Sequence, residues 1–429
     1  MSDLLAARLQ MAISLGFHIV FAEIGIAMPL LMVLAEWRWH RTGDPVYRQL
    51  AQRWARGTAV LFAVGAVSGT VLSFELGLLW PRFMEFAGPI IGIPFSLEGF
   101  AFFTEAIFLG IYLYGWENIS PRAHLAAGGV VAVSGAASAV FVVMVNAWMN
   151  TPTGFQVADG RLLSVDPIAG MMNPSTVQQA LHMLLAAYAA TGLAVAGVHG
   201  FMLLRKRESV FHRHALAIAL VVGAPAAVLQ PISGDLSARV VAERQPVKLA
   251  AMEGHFETMR GAPLHLGGVP DENAAVTRYA IRVPKGLSLL AFHDPGAEVK
   301  GLLAFPRDLW PPILPVHVAF QIMVALGTTM AIVALWALVA MILKRPIDDP
   351  RLLRALAIVA PFGFLATEAG WTVTEVGRQP WVVSGLVKTA DAVTPMTGLL
   401  YPMTLFAVLY AALAAVVIVV MRSLVAETA

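Results

Sequence analysis

Glu98 and Glu105 stand seven residues apart, and so do Glu368 and Glu375, with Trp371 between them. Seven residues make two helical turns, so each pair would share one face, about 10 Å apart along the axis. Acids placed in this way can pass protons when water bridges them. His18, His182 and Met323 add imidazole and thioether donors, the set that haem iron accepts as axial ligands. The same groups also suit a proton relay. Gln10, Ser14 and His18 form an i, i+4, i+8 stripe. The chain has no Cys, which excludes disulfides, thiolate zinc, iron–sulfur clusters and covalently attached haem. Any metal must be held by His, Met or carboxylate.

The elements that position these groups are membrane helices. Of 429 residues, 58 % are hydrophobic and 13 % charged, with mean hydropathy +0.73. Soluble domains carry about 25 % charge, so a soluble enzyme is excluded. The net charge of +2 gives no reason to expect a nucleic-acid partner. Nine stretches have the roughly 20 apolar residues that a spanning helix needs: 10–36, 57–80, 95–116, 124–149, 178–203, 213–231, 312–343, 352–376 and 398–421. The expected fold is therefore all-α, a polytopic bundle of about nine transmembrane helices. The first stretch is too long for a signal peptide and reads as retained.

Fifteen Lys and Arg lie in the loops after the odd-numbered stretches and in the C-terminal tail, against five at the N-terminus and in the short loops opposite. Basic residues favour the inner side, which predicts the N-terminus outside and the C-terminus inside. The expected organisation is 1–231 with six spans, an extracytoplasmic loop over 232–311 with some helix around Val240–Met259, and 312–429 with three spans. In that orientation His18, Glu98, Glu105, His182, His317, Gln321, Met323, Glu368 and Glu375 gather in the outer half. His40, His199, His212 and His214 fall near the inner surface and read as solvated or interfacial. Glu23 is deep in the first stretch, with no assigned role. No internal repeat is visible, which weighs against an inverted-repeat transporter.

Several blocks together carry a resemblance. Gly377-Arg378-Gln379-Pro380-Trp381, preceded by Glu368-Ala369-Gly370-Trp371 and Glu375, is the most specific. Ala7-Arg8-Leu9-Gln10 leads to His18, Glu98-Gly99 precedes Phe102-Phe103 and Glu105, Asn146 precedes Trp148-Met149, and Asn173-Pro174 leads to His182. Gly234-Asp235, Lys248-Leu249-Ala250-Ala251 with Glu253, and Ala319-Phe320-Gln321-Ile322-Met323 complete the set. In order and spacing the chain resembles subunit I of the cytochrome bd family of quinol oxidases along nearly its whole length.

That resemblance implies oxidation of membrane quinol coupled to reduction of O2 to water, building a proton gradient without a pump. By position, it implies that His182 and Met323 ligate a low-spin haem b. His18 and Glu375 would ligate a high-spin pair, one haem b and one haem d, with the assignment between them open. Trp371 and Gln321 fall at cofactor-binding positions. Glu98, Glu105, Glu375 and Arg378 fall at catalytic ones, and Lys248, Glu253, Gln245 and Asp235 at quinol-binding ones. Implied partners are a subunit II in a heterodimer, a small single-helix subunit, membrane quinol, O2 and the lipid of a bacterial cytoplasmic (inner) membrane.

Two departures stand out. Gln321 occupies a place where better-known members carry Arg, which predicts a lower low-spin haem potential. About sixteen residues separate Ala291-Phe292-His293 from Trp310-Pro311-Pro312, as in a short-loop subclass that includes cyanide-insensitive members, so the third haem is d or a further haem b. Two other readings compete: a proton-coupled membrane transporter, and a haem electron conduit without an oxygen site.

Overall fold

The described residues of this computed structural model are 1–158 and 160–426, and among them nine helical spans are long and apolar enough to cross a bilayer. They are α1 (Asp3–Thr42), α2 (Pro45–Leu79), α3 (Pro81–Tyr114), α4 (Pro121–Asn150), α5 (Thr176–Arg205) and α6 (Val210–Arg244). After a short α7 (Pro246–Glu253) come α8 (Ile313–Ile342), a span built from α9 (Pro350–Val359) and α10 (Phe362–Val376), and α11 (Leu400–Ala426). Each predicted stretch has its span, and the all-α class holds. Residues 427–429, the end of the third predicted segment, lie outside the described residues.

Local chemistry sets where the helices begin. Side chains of Ser2, Asp44, Ser120, Ser209 and Asp349 accept first-turn N–H groups, and Pro opens α2, α3, α4 and α9. Pro29, Pro89, Pro94, Pro225 and Pro231 do not stop their helices. In lipid an interrupted backbone has no water to bond, so helix persists through such residues. For this reason α6 continues past 231, its expected end, to Arg244, and the long segment begins at Gln245. The helix expected around Val240–Met259 is two pieces, the end of α6 and α7.

Small residues let the helices approach closely. A Cβ on Gly192 of α5 would come within 2.5 Å of the Gly223 Cα of α6, so the two backbones touch where only glycine fits. Leu193, Leu216, Leu220, Ala334, Leu353 and Leu356 fill the core between α5, α6, α8 and α9. Leu31, Tyr47, Leu50 and Tyr112 do the same for α1–α4.

One end of the bundle is tied by bonds from backbone N–H groups. Asp3 Oδ1 accepts from Leu399 N, Leu79 O from Thr394 N and Met149 O from Ser384 N, each at 2.9 Å. The long segment folds into short two-stranded ribbons, Leu264–Leu266 with Ile281–Val283 and Val269–Asp271 with Val276–Arg278. It packs on α8 and α10 through Ala250, Met252 and Phe256 against Ile313, Val316 and Val373. At the other end His199 and His212 are buried, contrary to the wet surface expected. The short turn between α5 and α6 brings their Nδ1 atoms to 2.9 Å.

Candidate functional site

Two histidines of different helices are held in the same way. His182 of α5 places Nδ1 at 2.8 Å from Ser233 Oγ on α6, and that hydroxyl donates to Gln230 O at 2.9 Å. His18 of α1 places Nδ1 at 3.0 Å from Ser68 Oγ on α2, which donates to Gly65 O at 3.0 Å. With the ring proton on Nδ1, the serine in each case accepts the imidazole N–H and donates its own hydrogen to the carbonyl three residues back. This fixes the ring plane and leaves Nε2 with a lone pair, the arrangement by which an orienting hydrogen bond prepares a metal-binding histidine. A glycine follows each serine. A Cβ on Gly69 would lie 3.0 Å from His18 Cε1, and one on Gly234 would lie 3.7 Å from His182 Cε1.

Met323 on α8 faces α10, where a Cβ on Gly370 would approach its Sδ to 3.1 Å. The α6 segment beside His182 and the first turns of α8 both meet the long segment: His293 Nε2 pairs with Asp235 of α6 at 3.2 Å, and His317 of α8 bonds Met252 O through Nδ1 at 2.8 Å. The imidazole and the thioether therefore share one end of the bundle.

Glu375, half-buried, closes α10 within a polar network. Arg378 donates through Nη2 to Glu375 Oε2 at 2.6 Å, and Asn146 Nδ2 donates to Oε1. Arg378 is buried, yet its Nε and Nη1 have no partner among the described residues. An orphaned pair of guanidinium donors beside a ligand-capable carboxylate is what the propionate of a porphyrin would satisfy. With the two prepared imidazoles and the thioether, this donor set fits haem. Trp371 lies one turn before Glu375 and is partly buried. Glu368 reaches α1, where a Cβ on Gly16 would lie 3.1 Å from its Oε2.

The acid pair of α3 faces α4. Ser138 Oγ donates to Glu98 Oε1 at 3.3 Å, and buried Glu105 packs against Gly135, where a Cβ would sit 3.0 Å from its Oε1. Ser138 thus joins the acids, whereas exposed Ser96 and half-buried Thr104 bond carbonyls of their own helix.

Within the long segment Glu253 is buried with Oε2 unpartnered, and burial pushes its carboxyl up to about 8. Gln245 is half-buried where α6 ends, and Asp235 pairs with Arg239 at 3.1 Å as well as with His293. Lys248 points inward, to Asn150 and the Thr374 carbonyl. Burial first, then the neighbouring Arg378, lowers its ammonium to about 7.

Two polar side chains of α8 hold the long segment. Gln321 donates to His265 O at 3.0 Å and accepts from Gly267 N at 2.9 Å, tethering the long segment to α8. His317 spans Met252 O and Gly267 O and is a clasp of the same segment.

Sequence reasoning missed Ser68, Ser233, Gln230, Asn150 and Glu75. Glu75 is a buried acid of α2 that accepts from Gln10 Nε2 at 2.9 Å. The cost of a carboxyl within a span would have flagged it. The Ser-Gly dipeptide common to 68–69 and 233–234 was the signal for the clamps.

A family model described as cytochrome bd terminal oxidase subunit I matches residues 6–429. A Bacillus subtilis (strain 168) chain provisionally named a cytochrome bd menaquinol oxidase subunit I is 39 % identical, over 98 % of this chain and 96 % of that one. The cytochrome bd-II ubiquinol oxidase subunit 1 of Escherichia coli (strain K12) is 28 % identical over 91 % and 90 %. The solved structure of bd oxidase from Geobacillus thermodenitrificans superposes with TM-score 0.93 at 38 % identity, covering 100 % of this chain and 99 % of that one.

Proposed function

Since the chain belongs to the cytochrome bd terminal oxidase subunit I family, and is thereby the haem-bearing subunit of a membrane quinol oxidase that works with a subunit II, we propose how its residues divide that task. Family membership sets aside the transporter reading. The observation that carries the division is the pair of serine-clamped imidazoles, one accompanied by a thioether and the other by carboxylates.

His182 and Met323 would hold a low-spin haem b. His18 and Glu375 would hold two high-spin haems, a haem b and either haem d or a further haem b, and the free guanidinium donors of Arg378 would take a propionate. When bound, these groups carry electrons and offer the open iron coordination site that O2 requires.

Quinol docks where the long segment meets the bilayer, near Gln245, Lys248 and Glu253, with Asp235 at the rim. Glu253 accepts a quinol proton. A carboxyl raised toward 8 is a stronger base than an exposed one, closer to what removing a phenolic proton needs. Glu105 and then Glu98, with Ser138, deliver protons from the other end of the bundle toward the oxygen side. With the N-terminus outside a bacterial cytoplasmic membrane, quinol protons leave outward while consumed protons come from within, and charge separates without a pump. A single-helix subunit completes the assembly.

The test is a spectrum of the purified complex. Dithionite-reduced minus air-oxidised bands, a carbon monoxide-sensitive species and quinol-dependent O2 uptake are the expected result. A low-spin band with no carbon monoxide-sensitive species would leave a conduit without an oxygen site, and no haem band would overturn the reading.

A further inference from the structure

The acid pair of α3 has a counterpart on α10. Glu105 lies two turns farther than Glu98 from the tied end of the bundle, and its carboxyl lodges against Gly135 of α4. Glu368 lies two turns farther than Glu375 from the same end, and its carboxyl lodges against Gly16 of α1, where a Cβ would come within 3.1 Å of Oε2. In both cases a glycine of the adjoining helix clears a place for an acid. The second place holds another acid as well. Glu23 comes seven residues after Gly16, on the same face of α1, and its carboxyl is turned toward Thr367 and Glu368 of α10. It is only 5 % exposed. Thr191 of α5 donates to the Glu23 backbone carbonyl at 3.2 Å, which holds this part of α1 against its neighbours. Glu23 Oε2 and Glu368 Oε1 are both buried and have no hydrogen-bond partner among the described residues. No cation offsets them either: residues 9–37, 162–204 and 355–377 contain no Lys or Arg, and His18 is the one basic side chain between Arg8 and Arg38. Two carboxylates that face each other in a lipid span without a cation cannot both be ionised. At least one proton therefore stays on the pair, and the two free oxygens are placed to share it.

We infer that Glu23 and Glu368 form a proton-holding pair, a second store beside Glu105 and Glu98, that delivers protons toward His18 and Glu375 from the α1–α10 side. The inference rests on His18 and Glu375 serving oxygen reduction. Each O2 takes four electrons, supplied by quinol, and four protons to give two waters. A proton that leaves Glu368 ends in that water, and one from the far end of the bundle replaces it through Glu23.

The experiment records reduced-minus-oxidised infrared difference spectra of the whole complex in H2O and D2O, for the parent, Glu23→Gln, Glu368→Gln and Thr367→Val, with the His182/Met323 low-spin band as the measure of folded protein. A protonated carboxyl has a C=O stretch that shifts in D2O and disappears when the acid becomes an amide. The parent is expected to show such a band, and each glutamine variant to remove or displace it. Thr367→Val is expected to move its frequency while both acids remain, which a merely space-filling role would not do. In Glu368→Gln kcat is expected to fall about tenfold at an unchanged quinol KM, the sign of a step after binding. Parental carboxyl bands in both glutamine variants overturn the pair, and a parental kcat in both overturns the delivery. If the glutamine variants lack the low-spin band, Thr367→Val decides: a moved carboxyl band sustains the pair and an unmoved one overturns it. A parent complex without a carbon monoxide-sensitive species would instead fell the reading of His18 and Glu375, and with it the delivery, while the carboxyl bands still report whether the pair holds its proton.

Discussion

The clamps on His182 and His18 use the same serine hydroxyl and the same carbonyl three residues back, yet their surroundings differ. Around His182 the neighbours are neutral: Gln230 places Nε2 at 3.2 Å from the ring Nε2, and Met323 comes from the adjoining α8. Around His18 they are acids: Glu368 lies against Gly16 of α1, and Glu75 bonds Gln10 two turns up the same helix. A neutral setting with a soft second donor suits iron that only changes oxidation state. Carboxylates beside the histidine suit iron whose chemistry consumes protons. The imidazole presentation is thus common to both sites, and under the proposed division the company it keeps would separate electron transfer from oxygen chemistry.

The sharpest way to break this comparison is to delete each ring. His182→Ala, or Met323→Leu, is expected to abolish the low-spin band, whereas His18→Ala keeps that band and loses the carbon monoxide-sensitive species; equal loss of both signals in each variant would erase the distinction. Next in size is Glu253→Gln, expected to lower kcat by about 10²–10⁴ if Glu253 is the proton acceptor. Its pH behaviour has two opposite signs. The base form fills as pH rises through about 8, so kcat/KM climbs. The folded carboxyl lies above its ordinary 4.5, so its contribution to stability is complete below pH 4.5 and is lost as pH rises toward 8. Glu253→Gln should flatten both curves, read by steady-state kinetics and thermal melting across that range.

Ser68→Ala and Ser233→Ala each remove an orienting hydrogen bond, and about a 10–100-fold loss of haem affinity is expected at the matching site alone. Haem retention during dilution or competition with apo-globin measures it, and loss at the wrong site would sink the clamp. The smallest effect is Gln321→Arg. A cation nearby favours the reduced state by about 1–2 kcal/mol at ~10 Å and an effective dielectric of ~20, so redox titration should show a higher low-spin midpoint.

Much of the fold was legible because lipid imposes one rule: a run of about 20 apolar residues must be helix. Where that rule stops applying, the reading slipped. Residues 232–244 are polar enough to look like loop, but α6 had no reason to end there. The ligand-type residues could be named because charge and imidazole are costly in a span. Their hydrogen-bond partners could not, because serines bonding their own helix are commonplace and only three-dimensional register shows which of them also meets a histidine. The inward turn of Lys248 was hidden for the same cause. Nothing in residues 245–253 says that the side chain turns toward α4.

The glycine contact between α5 and α6 has a bearing on the His182 clamp. Gly192 lies ten residues after His182, and Gly223 ten residues before Ser233. Because the two helices run in opposite directions, the touching backbones and the imidazole–hydroxyl pair are separated by equal arc on each strand of the hairpin, about 15 Å. The pair is therefore indexed like two rulers pinned at a common mark: neither can creep past its neighbour without opening the other joint. A bulkier residue at 192 or 223, far from any iron, would tilt the ring.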